Sequence, residues 1–96
     1  MTDDAFSLLM QSLGASVLSK ESDPRSVLAI LMTETTRFRD KLLQETGVTL
    51  TVEDARVALD SLEQVLEGQP MPDKLTSEQH ILAQIYVDRL TTFRRR

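Results

Sequence analysis

The sequence predicts an all-α fold: a single domain over residues 1–96 with four helices, a long second helix, and a bundle completed by dimerisation or by a protein partner. Three observations lead there. In four stretches apolar residues recur at spacings of three and four, the period of a helix face. The three glycines and three prolines fall almost entirely between those stretches. A chain of 96 residues with 41% hydrophobic and 27% charged side chains is enough for one modest core and for no second domain.

The first helix is expected over about residues 3–19. Thr2 can accept an amide hydrogen bond, Asp3 and Asp4 suit the positive end of the helix dipole, and Phe6, Leu9, Leu13 and Val17 form one stripe. Gly14 inside it costs about 1 kcal/mol relative to alanine, so it marks either a close crossing or a break. The second helix is expected over 24–46, because Ser22-Asp23-Pro24 is a strong start signal and Gly47 a stop. Its first half, with Val27, Leu28, Ile30, Leu31 and Met32, is apolar nearly all round, whereas Phe38, Leu42 and Leu43 make a narrower stripe later. At 1.5 Å per residue it is about 35 Å long.

Val48 to Val52 alternates like a strand, but Thr51 three before Asp54 also reads as an N-cap with an acidic first turn, and a short extended link is expected. Thr51 with Asp54 reads as an N-cap for a third helix over about 52–67. Ala55, Leu59, Leu62 and Leu66 then form a heptad-like seam, opposite Glu53, Asp60, Glu63 and Glu67. Pro70 and Pro72 enforce a rigid loop over 69–75. Thr76 and Gln79 match a capping box for a fourth helix over about 77–93, whose stripe is Ile81, Leu82, Ile85, Tyr86, Leu90 and Phe93.

Composition removes several classes of function. There is no cysteine, and His80 is the only histidine, so disulfides, thiolate zinc sites, a cysteine nucleophile and a multi-histidine metal centre are excluded, and no metal or cofactor is expected. The longest apolar run, Val27 to Met32, falls short of a membrane span or a secretory leader, so neither membrane insertion nor a signal peptide is expected and an intracellular, cytoplasmic setting is. A net charge of −4 argues against generic phosphate-backbone binding, and therefore against nucleic acid as partner. An enzyme is not expected: the acidic row on the third helix reads as a solvated face, His80 sits where a helix dipole disfavours its charged form, and no serine, threonine or tyrosine has an evident base beside it.

What remains is association. Four apolar stripes exceed what a lone small domain is expected to cover, so a homodimer or a protein partner is expected to complete the bundle. The candidate partner-binding residues are Ala55, Leu59, Leu62 and Leu66 on the third helix and Leu82, Tyr86, Leu90 and Phe93 on the fourth. The arginine run Arg94, Arg95 and Arg96 either complements the helix dipole or docks an acidic surface. The expected role is a small regulatory, adaptor or chaperone-like subunit, an acid–base enzyme coming last.

Residues 22–66, with the entry Ser22-Asp23-Pro24-Arg25 and the run Leu50-Thr51-Val52-Glu53-Asp54-Ala55-Arg56-Val57-Ala58-Leu59, resemble histone-fold subunits. The long helix ends about two turns early for that family, and no arginine precedes Thr49 to pair with Asp54. The resemblance implies a handshake dimer crossing around Thr35 and Phe38, in a scaffold subunit of a larger nuclear or nucleoprotein complex.

Overall fold

The computed structural model describes residues 5–13 and 15–95. It contains α1 (Ala5–Leu13), the single turn α2 (Ala15–Leu18), α3 (Pro24–Thr46), α4 (Val52–Leu66) and α5 (Ser77–Arg94), with no strand among the described residues. The all-helical class is therefore as the sequence predicts. The bounds of α3 match the expectation at both ends, and those of α4 and α5 fall within one residue. The expected first helix is represented by α1 and α2. Whether Gly14 breaks it lies outside the described residues, as do the roles expected of Thr2, Asp3, Asp4 and Arg96.

Each long helix begins and ends for local reasons. Asp23 accepts hydrogen bonds from the Ser26 backbone N–H and, at 2.7 Å, from its hydroxyl, while Pro24 occupies the first turn where no N–H is needed. Gly47, at φ 74°, closes α3 in the left-handed conformation that glycine adopts without a Cβ clash, and its N–H donates to the Leu43 carbonyl. Residues 48–51 form an extended link in which Leu50 is buried between the exposed Val48 and Val52. Both expected caps form full boxes: Thr51 with Asp54 opens α4, and Thr76 with Gln79 opens α5.

The helix directions follow from contacts at the two ends of the bundle. At one end the Gln79 amide donates to Asp54 at 2.9 Å, joining the first turns of α5 and α4. At the other, Lys20 pairs with Glu67 just past α4, and Arg94 at the end of α5 pairs with Glu21. Thus α4 and α5 run in the same direction. The connection returns along the bundle: Glu67 and Gly68 form a turn, and the eight residues 69–76 reach about 26 Å when extended, against about 22 Å for α4, and Pro70 and Pro72 keep the segment out of a helix. Side-by-side N-termini repel through their dipoles, and Glu53, Asp54 and Glu78 in the first turns offset that repulsion.

Helix α3 runs against the other three. Its Glu34 meets Arg89, its Thr35 meets Tyr86, and its Arg39 lies over the Phe6 ring at 5.0 Å. Helices α1 and α5 each pack on both α3 and α4, so the bundle is a square in the order α1, α3, α5, α4. Its core comprises Phe6, Leu9 and Met10 from α1, Val27 and Leu31 from α3, Ala55, Ala58, Leu59 and Leu62 from α4, and Leu82, Ala83, Tyr86 and Leu90 from α5. The alanines lie on the two parallel helices, where small side chains let backbones approach closely.

Buried hydroxyls interrupt this core at Ser61, Thr35 and Tyr86, and each is satisfied. Ser61 donates to the Val57 carbonyl at 2.9 Å. Thr35 donates its one hydroxyl proton to the Leu31 carbonyl at 2.7 Å, so the Tyr86 phenol must be the donor to Thr35. Burial, opposed in part by Thr35, holds that phenol protonated far above its ordinary range.

The candidate docking stripes are corrected by this packing. Ala55, Leu59, Leu62, Leu82, Tyr86 and Leu90 are at most 2% exposed within the single chain, and Leu66 and Phe93 are partly buried against them. The physical reason is the returning loop: by placing α5 alongside α4, it turns the α4 seam and the α5 stripe toward one interior.

Candidate protein-docking face

Among the described residues, Leu8, Leu43, Val48, Val52 and Ile81 are the exposed large apolar side chains, and of these Ile81 lines a depression between two helices. On α5, Ile81 is 48% exposed and Ile85 half-buried, because they lie on the edge of that helix away from Leu82, Tyr86 and Leu90. On α3, Phe38 packs against the core along one edge and stays open along the other. Together with Glu34, Arg37 and Lys41 these three line a depression of about 240 Å³ on the outer side of the α3–α5 pair. A second depression of about 190 Å³, formed by Ala29, Ile30, Thr33, Glu34, Arg37 and Arg89, continues it toward the start of α3. The two meet at Glu34 and Arg37, which border both, and lie end to end along α3 on either side of the Glu34–Arg89 ion pair; together they are the α3–α5 groove. It follows α3 from Ala29 to Lys41, about 18 Å at 1.5 Å per residue.

Electrostatics make this groove cationic at its rim. The Glu34 side chain is only 12% exposed and receives Arg89 at 3.1 Å and Arg37 at 3.6 Å. One largely buried carboxylate therefore anchors two guanidinium groups whose outer faces stay in water, and the exposed Lys41 adds a third cation. Sequence reasoning missed the groove. Ile81 and Ile85 belong to the same wide stripe as Leu82, Tyr86, Leu90 and Phe93, with nothing in the spacing to separate a core side from an open side, and the Glu34–Arg89 pair links two distant helices with no local spacing to announce it.

The other singled-out groups are placed as follows. Arg94 makes a two-pronged contact with Glu21, whose side chain is nearly buried, which latches the end of α5 to the link before α3. Arg95 is exposed. In the acidic row of α4, Glu53 and Asp60 both receive Arg56, whose hydrogen bond holds the Glu53 carboxyl below its ordinary value, and Glu67 pairs with Lys20. His80 is exposed in the first turn of α5, its backbone N–H donating to Thr76. Among the described residues no group of three or more histidine, aspartate or glutamate side chains is placed to hold a metal ion. No described helix is long and apolar enough to cross a membrane.

Fold and face together define an all-α protein with a crossover connection between parallel helices and a groove on one side of its bundle. Compared with known proteins, the chain matches no family model, no curated sequence and no solved structure.

Proposed function

We propose that this chain is a non-enzymatic protein-interaction module, a small regulatory, adaptor or chaperone-like subunit that docks another polypeptide on the outer side of α3 and α5. The observation that carries this is the exposed Ile81 beside the half-buried Phe38 and Ile85, an apolar strip that the described residues leave partly open, with Arg37 and Lys41 beside it. Such a strip loses contact with water when a second helix lies on it, at about 25 cal/mol per Å² of apolar area removed. A handshake dimer of the histone kind is the less favoured alternative, because Tyr86 of the same chain already covers Thr35, where the two copies would cross. The test is affinity capture from the native source with the wild-type chain and with Ile81→Asp. The proposal expects a co-purifying protein that the variant loses while its helical circular dichroism is retained. Equal capture by both chains would move the interface elsewhere.

A further inference from the structure

We infer that the occupant of the α3–α5 groove is a short amphipathic helix of a partner protein in which carboxylates flank the apolar residues; this rests on the docking role proposed above. The floor supplies apolar contacts from Phe38, Ile81 and Ile85 at one end and Ile30 at the other. Its length of about 18 Å matches about three turns of a facing helix, so the partner presents apolar side chains at positions i, i+4 and i+7. Charge selects among such helices. Glu34, the acidic residue among those lining the two depressions, is largely buried and already engaged by Arg37 and Arg89, and Asp88 at the α5 edge is bonded to Gln84, so the charges an incoming helix meets along the α3 side are Arg37, Lys41 and Arg89. Carboxylates on both flanks of its apolar stripe answer those cations, whereas lysines there meet like charge.

A second copy of this chain fits less well. Its acidic helix face is that of α4, where Glu53 and Asp60 are tied to Arg56 and Glu67 to Lys20. The apolar seam of the same helix, Ala55, Leu59 and Leu62, lies inside the bundle and cannot enter the groove.

Fluorescence anisotropy on the full chain tests this with two labelled model helices of about 16 residues, each with leucines at i, i+4 and i+7, one flanked by glutamates and the other by lysines. The glutamate probe is expected to bind about tenfold more tightly at low salt, with the gap narrowing as salt rises. Combining Lys41→Glu with Arg37→Gln should remove that preference, and Ile81→Asp should remove binding of both probes, with helical circular dichroism retained in each variant. Equal binding of the two probes overturns the acidic partner while leaving the docking face in place. Binding of neither probe by a chain that sediments as a monomer overturns both. A dimer that Ile81→Asp dissociates puts a second copy in the groove and overturns the acidic helix.

Discussion

Helix α5 has two neighbours and treats them differently. Toward α4 it presents Leu82, Ala83, Tyr86 and Leu90 as part of the sealed core, where α4 contributes Ala55, Ala58, Leu59 and Leu62. Toward α3 it contributes one buried hydroxyl pair, Tyr86 with Thr35, and then an ion pair, Arg89 with Glu34, beyond which the two helices leave a groove. The first junction is closed because small and branched apolar residues on both sides can interdigitate. The second stays open at its margin because the Arg89–Glu34 pair keeps its charged ends at the surface instead of interdigitating. In this protein the widest apolar stripe builds the core, and its edge stays open to the surface.

The largest effect expected from that contrast is Leu62→Asp. A charge placed at a fully buried position of the sealed junction costs about 3 to 5 kcal/mol, enough to unfold a domain of this size, and urea denaturation should show it. The matched change on the open side, Ile81→Asp, should shift the same midpoint by less than about 1 kcal/mol. If the two variants unfold alike, the distinction between sealed and open sides is lost. Glu63→Ala, outside the α4 seam, should cost less than Leu59→Asp for the same reason.

Much of this architecture was legible in the sequence, and the part that was not has a definite cause. Asp23 before Pro24, Gly47, Thr51 with Asp54 and Thr76 with Gln79 act over three or four residues, so the helices they bound could be read directly. The direction of α5 could not, since it depends on Gln79 reaching Asp54, 25 positions away, and on Arg94 reaching Glu21, 73 positions away. Without that direction, the α4 seam and the α5 stripe looked like surplus apolar surface rather than two halves of one interior. The groove was invisible for a related reason: whether Ile81 faces the core or water depends on where α3 lies.

A subtler change separates the two hydroxyls of the α3–α5 contact. Tyr86→Phe removes the donor to Thr35 while leaving the Thr35 bond to the Leu31 carbonyl in place, so a loss of about 1 kcal/mol is expected in denaturant unfolding. Thr35→Val leaves the buried phenol with no acceptor and should cost more, about 2 kcal/mol. Reversal of that order would mean that the phenol does not act as the donor.

The smallest expected effect concerns the joined N-termini of α4 and α5. Burial pushes the Asp54 carboxyl up, but the Thr51 backbone N–H and the Gln79 amide more than compensate, leaving it below the ordinary aspartate value. A carboxylate whose folded value is depressed contributes stability that is fully present above its unfolded pKa of about 3.9 and is lost as pH falls through the lower folded value. The site is partly exposed, so the contribution at neutral pH is small. Asp54→Asn keeps an oxygen for capping but removes this titration. Melting curves from pH 7 down to about pH 2 should therefore show the variant less stable at neutrality, with the gap closing in acid. A constant gap would mean that the carboxylate charge plays no part in holding the first turns of the two parallel helices together, and that the apolar seam between α4 and α5 aligns them by itself.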